Sequence, residues 1–159
     1  MSLELFSSLA WVMTICSGLM AGVYLTFSVV IMRSLAMLDT SQGIAAMNSI
    51  NREIVKTAFM PLFFGSTIIA ALMVVAGIWQ WDSAGAEGVL AAGLIYFFGM
   101  FVTTATANVP LNNQLDRVEG EGEEARQMWA TYLSSWTRWN SIRAAACTAT
   151  MIICIALLG

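Results

Sequence analysis

Histidine does not occur in this chain, and that omission removes the imidazole general base, the histidine metal ligand and the proximal haem histidine. Charge is scarce as well. Only 11% of the 159 residues are Asp, Glu, Lys or Arg, against about a quarter in ordinary soluble domains. Cysteine appears three times, as Cys16, Cys147 and Cys154, each inside an apolar run and none in a CxxC spacing. Neither a disulfide framework nor a dithiol pair is indicated, and the three are expected to be small core residues. The carboxylates avoid the long apolar runs, so the di-iron cage of Glu and ExxH ligands is missing. So are a glycine-rich phosphate loop and the flavin and nicotinamide fingerprints. The eleven methionines are scattered and fit gap filling better than metal ligation. The expectation is a protein with no metal and no cofactor. Without a basic patch, nucleic acid is not an expected partner.

What remains is hydrophobic: 58% of the residues and a mean hydropathy of +0.75. These values describe an integral membrane protein. A helical crossing takes about 20 apolar residues, and four stretches qualify, at about 5–32, 57–81, 88–107 and 139–158. The expected fold is all-α, a single four-span transmembrane bundle over 1–159 with an amphipathic cytoplasmic helix and a long fourth helix extending into the cytoplasm. The leader "MSLEL" has no basic residue and the first run is too long for an h-region, so it is not read as a cleaved signal peptide. All seven basic residues fall in two places, between the first and second spans and from the loop after the third span to the start of the fourth. By the positive-inside rule both termini lie outside the cytoplasm.

Local features refine this outline. "GLMAG" sets Gly18 and Gly22 on one helix face, which suits close packing within the bundle or a homo-oligomer seam. "LDTSQGIAAMNSINREIV" reads as an amphipathic helix with Ile44, Met47, Asn51 and Ile54 on one face. Pro61 opens the second span, Trp79 and Trp81 mark its outer end, and Pro110 is expected to stop the third span. "DRVEGEGEEA" reads as a solvated connector. From Glu123 to Leu158 no glycine or proline interrupts a helix of 36 residues, about 54 Å at ~1.5 Å each. Its purely apolar part, Ala144 to Leu158, is only fifteen residues, roughly 22 Å against a core of about 30 Å. That shortfall draws Trp139, Asn140 and Arg143 to membrane level. A charge there needs a partner, and the candidates are amide oxygens, carbonyls at the end of the third span, Glu53 or Asp116.

All six asparagines fall on the cytoplasmic side of this topology. Asn51, Asn108, Asn112 and Asn140, with Arg143, Tyr132, Trp136 and Trp139, are placed to form one polar-aromatic pocket. Tryptophan faces would stack a lipophilic, oxygen-bearing molecule, and amide and guanidinium donors would hold a carbonyl or enolate. The plainer alternative has the asparagines capping helix ends and the tryptophans anchoring at the interface.

"GLMAGVYLTFSVVIMRSL", "AAMNSINREI", "NVPLNNQLDRV" and "WATYLSSWTRWNSIR" resemble, in order and spacing, the anthrone-oxygenase-like membrane family, long catalogued as a domain of unknown function. The resemblance implies a small four-span protein. It also implies oxidoreductase activity of the kind associated with fungal members, which oxidise anthrones to anthraquinones without a recognised cofactor. Signature positions fall on Asn51, Asn108, Pro110, Leu111, Asn112, Trp136, Trp139, Asn140 and Arg143. On this footing Asn140, Arg143 and Asn108 are the candidate catalytic residues, and Asn51, Asn112, Tyr132, Trp136 and Trp139 the candidate substrate-binding ones. Two positions depart from the pattern: Arg33 stands where a proline is common, and Ser141 where a histidine often follows the Trp-Asn pair. Most bacterial members have no assigned role, and the expected location here is a bacterial inner membrane. Two readings stay open: a cofactor-free monooxygenase acting on a lipophilic aromatic or polyketide-like molecule, and a non-catalytic membrane module binding a lipid, quinone or hydrophobic metabolite or assisting a partner protein.

Overall fold

The computed structural model describes residues 2–118 and 122–159, which are all-helical with no strand among them. Part of the "DRVEGEGEEA" connector, residues 119–121, lies outside the described residues. Helix α1 is built from Ser2–Thr26, a π-helical stretch Phe27–Ile31 and Met32–Leu35. Helix α2 covers Thr40–Ile54 and α3 Phe59–Trp79. Helix α4 runs continuously over Ala86–Leu115, but Phe97–Val102 and Thr104–Asn108 wind as wider π turns. Helix α5 is a single rod, Glu123–Ala156. Among the described residues α1, α3, α4 and α5 are each long and apolar enough to cross a membrane. In hydrocarbon a helix is the natural solution for such segments, because it satisfies every backbone donor and acceptor internally.

The four long helices close a ring in the order α1, α3, α4, α5, each packed on its two neighbours. Small residues let them approach. A Cβ at Gly93 would stand 2.7 Å from the carbonyl oxygen of Ala70, so α4 lies directly against the α3 backbone. Tyr96 on α4 donates from its hydroxyl to Ser66 Oγ on α3 at 2.7 Å. Gly18 faces Met151 of α5, whereas Gly22 has open space before it, so the two glycines serve different surroundings. The tight turn before α4 rests on Gly85, whose φ of 85° suits a residue without a Cβ.

Two buried clusters result. One fills the bundle from Phe6 and Ala10 through Met73 and Val89 to Tyr96 and Met100. The other, Met32, Leu35, Ile44, Met47, Leu115, Trp129, Tyr132 and Trp136, seats α2 across the opposite end. The expected apolar face of α2 is therefore the face that docks. Between the clusters lies a cavity.

Pro110 does not end the third long helix. Proline lacks a donor and its ring strikes the carbonyl four residues earlier in regular α geometry. Here the preceding residues, Thr104–Asn108, are π-helical, which moves that carbonyl out of α register, and Pro110 takes one of the first positions of the final segment Val109–Leu115. In such a place the missing N–H costs little. Pro110→Ala is accordingly expected to leave helix content unchanged and to shift stability by less than about 1 kcal/mol. Far-UV circular dichroism during SDS titration measures both, and a clear loss of helix would overturn this account of Pro110.

Candidate functional site

The long fourth span helix places Arg143 about two-thirds of the way along α5, where its side chain is 5% exposed. Its Nη2 donates to Asn140 Oδ1 at 2.7 Å and its Nη1 to Thr104 Oγ1 at 3.1 Å. The guanidinium also lies over the Tyr24 ring, 4.2 Å from the centroid, and 5.5 Å from that of Trp136. No carboxylate is among these partners. Of the two acidic candidates, Asp116 meets Arg52 at 3.4 Å and Glu53 meets Lys56 at 2.8 Å, both in exposed pairs. A cation withdrawn from water normally requires a counter-charge or a full set of acceptors, and Arg143 Nε makes no hydrogen bond within the usual geometry.

Asn140 holds this arrangement in place. Its Nδ2 donates to the Tyr24 carbonyl at 2.6 Å and to Ser28 Oγ at 2.7 Å, which ties α5 to α1 just before and within the π stretch of α1. Its Oδ1 is taken by Arg143. Both amide atoms are thus engaged, so Asn140 positions the guanidinium and has little left for a ligand.

Arg143 and Asn140 stand in the wall of a cavity of about 430 Å³. Its polar end adds Thr104, Asn108 and Asn112 from α4 and Asn51 from α2. The rest is aromatic and aliphatic, with Tyr24 and Phe27 from α1, Phe59 and Phe63 from α3, Phe101 from α4 and Trp136 from α5. Several of these come from π-helical turns, as Phe27, Phe101, Thr104 and Asn108 do. Such turns recur at functional sites because they re-aim side chains within a helix. Asn108 is 1% exposed. It makes no cap; its Nδ2 donates to the Trp136 carbonyl at 3.2 Å and its Oδ1 has no partner. Trp136 Nε1 is likewise buried without a partner. An orphaned buried polar atom costs about 1–3 kcal/mol, so this wall is polar beyond its own needs.

Six of the eight candidate residues therefore meet at one cavity: Asn51, Asn108, Asn112, Trp136, Asn140 and Arg143. Tyr132 stands behind the wall. It is fully buried, stacks between Trp129 and Trp136 at 5.8 Å from each, and donates to Asn112 Oδ1 at 2.7 Å. Trp139 does not line the cavity; it is 37% exposed and faces outward beside Arg138. Four steps from Trp136 continue the inward stripe of α5 at Asn140, and three steps swing Trp139 off it. Ser141 is also on an outer face, bonded to Ser28 Oγ at 2.9 Å and to the Thr137 carbonyl. Position 141 is therefore not where a base for this cavity would stand. Among the described residues no group of three His, Cys, Asp or Glu side chains comes together.

The residues missed from sequence are chiefly Tyr24, Phe27, Phe59, Phe63, Phe101 and Thr104. Thr104 carried a usable signal, since it lies one turn before Asn108 and a charge at membrane level calls for polar neighbours on the facing helix.

The family model for anthrone oxygenase matches residues 54–153. The chain belongs to the anthrone oxygenase family. The match takes in α3, α4 and nearly all of α5, and with them Asn108, Asn112, Asn140 and Arg143. It leaves out α1 and Asn51, a narrower extent than the four resembling stretches span. No curated protein sequence and no solved structure matches the chain.

Proposed function

We propose that this anthrone oxygenase relative binds a lipophilic aromatic carbon acid in the cavity, holds it as its enolate against Arg143, and oxidises it with dioxygen. The observation that carries the reading is Arg143, a buried guanidinium with no carboxylate partner in the wall of an aromatic cavity. An oxyanion there would supply the counter-charge, and low surrounding polarity would strengthen the attraction. The activated CH2 loses a proton to give the delocalised enolate, and its ring carbon adds dioxygen to form a hydroperoxide. Loss of water from that adduct leaves the ketone, so that CH2 and O2 become C=O and H2O. Asn140 and Thr104 orient the guanidinium, Trp136 and Phe101 pack the rings, and Asn108 and Asn51 offer amide groups to ring substituents. The chain's own residues supply no imidazole base, so the proton passes to a water molecule admitted to the cavity and returns on the peroxide, which suits a strongly acidic CH2.

The same reading sets the cavity toward the cytoplasmic face of a bacterial inner membrane, with both termini outside, in line with the placement of the basic residues. Gly22, on α1 with open space in front of it, is the position through which a homo-oligomer would form.

Purified protein in lipid nanodiscs, given anthrone, is expected to consume one dioxygen per anthraquinone formed, at least about tenfold faster than the protein-free reaction. With labelled dioxygen one oxygen atom enters the quinone and the other leaves as water. A second reading rests on the two ring contacts and two hydrogen bonds of Arg143, which suit a lock between α1, α4 and α5 in a non-catalytic module binding a lipid, quinone or hydrophobic metabolite. Retention of unaltered anthrone with no oxygen uptake above background would favour that module.

A further inference from the structure

We infer that the cavity is entered sideways, from the hydrocarbon of the bilayer, through a gap between the start of α3 and the second half of α4. This rests on reading the cavity as a ligand site. The helices α3 and α4 pack backbone to backbone at Gly93 and Ala70, yet beyond the π turns of α4 no comparable packing joins α3 to Thr104–Asn108 or Val109–Leu115. The gap opens into the cavity. Its rim is formed by Val55, Phe64, Ala105 and Val109, which line the cavity and are nonetheless exposed, Phe64 by 50% and Val109 by 42%.

The chemistry of this rim decides what it faces. All four residues are apolar, whereas a mouth opening to water is normally edged by polar groups. Phe64 lies five residues into α3, about 7–8 Å along the axis. Helix α3 has 21 residues, about 31 Å, which matches the hydrocarbon thickness of about 30 Å. Phe64 is then inside the apolar layer. The direct route from the aqueous end is roofed by α2. Ile44 and Met47 are buried in the cluster with Leu115, Trp129 and Tyr132, and Asn48 Nδ2 donates to the Leu115 carbonyl at 3.5 Å. A lipophile already dissolved in the bilayer meets no polar barrier at the rim, and its oxygen-bearing end arrives at Arg143. Phe64, Ala105 and Val109 thereby become residues that select ligands by width and by partition into lipid.

Two measurements in liposomes test this. Nitroxide labels at Ala105→Cys and Val109→Cys, in a background with Cys16, Cys147 and Cys154 replaced by alanine, are expected to collide with dioxygen far more than with a water-soluble nickel chelate. The reverse ranking at both sites overturns the lateral route. The second measurement uses 9-anthracenecarboxylate, a planar aromatic oxyanion, followed by energy transfer from tryptophan in the chain with its native cysteines. Ala105→Phe narrows the gap and is expected to slow association and dissociation together by at least about tenfold, with a much smaller change in their ratio. Unchanged rates with intact binding overturn the proposal. Failure of the unsubstituted protein to bind the probe counts against the anion-site reading instead, and the label accessibilities then decide the route alone.

Discussion

Arg143→Met is expected to lower anthrone-dependent oxygen uptake by about a hundredfold to a thousandfold, the loss typical of removing one oxyanion donor, while the protein stays folded. The two halves of this expectation have different causes. Methionine fills most of the volume of the arginine stem, and exchanging a buried ion for an apolar residue of similar size is often neutral or stabilising. One loss opposes this, because Asn140 Oδ1 forfeits the donor now 2.7 Å away, at a cost of about 1–3 kcal/mol. Stability should therefore move little. Activity should collapse, because nothing else in the wall carries positive charge. Thr104→Asp gives a complementary test. It sets a carboxylate where Oγ1 now accepts from Arg143 Nη1 and supplies the missing counter-charge internally. If Arg143 serves as an anion site, this variant loses binding of anionic ligands even though the arginine is still present. If Arg143 is only a lock, Thr104→Asp tightens the lock and binding is unaffected. Both variants are read by uptake rate and by SDS denaturation midpoint.

Gly93→Leu is expected to be strongly destabilising. A side chain there collides with the Ala70 carbonyl oxygen, Val74 Cγ2 and Val74 N at 2.7–3.0 Å, and two of the three are backbone atoms that cannot rotate away. Overpacking of this sort costs about 1–3 kcal/mol, well beyond the gain of up to about 1 kcal/mol from removing a helical glycine. The damage also propagates, because forcing α3 from α4 strains the bond from Tyr96 to Ser66. SDS titration of helicity should show an early midpoint. Gly22→Leu is the control, since nothing stands within 4 Å of a Cβ there. It should leave monomer stability unchanged or raise it by up to about 1 kcal/mol, and an equal loss at both positions would mean the packing account of Gly93 is wrong.

Much of this architecture was legible in the chain. Four apolar stretches became four long helices, the uninterrupted run after Glu123 became one rod, and the shortage of apolar residues after Ala144 drew Arg143 into the bundle. Asn108 and Asn112 line the same cavity as Arg143, and Asn108 makes no helix cap. The aromatic wall was not legible, for a physical reason. In a membrane bundle the lipid-facing and core-facing surfaces are both apolar, so hydrophobic periodicity no longer separates inside from outside. Nothing in composition distinguished buried Phe63 from exposed Phe64. The π turns escaped as well, because they express a local change of winding that residue types do not announce. They are also why Pro110 bends the reading of the sequence more than it bends the helix.

The apolar opening between α3 and α4 bears on a second reactant. Dioxygen dissolves better in hydrocarbon than in water, and the bilayer is its local reservoir. A cavity whose rim is Val55, Phe64, Ala105 and Val109 draws gas from that reservoir at the point where the organic molecule enters. Under the oxygenase reading, the supply of oxidant is set by the lipid phase around α3 and α4, and the aqueous concentration matters only through partition.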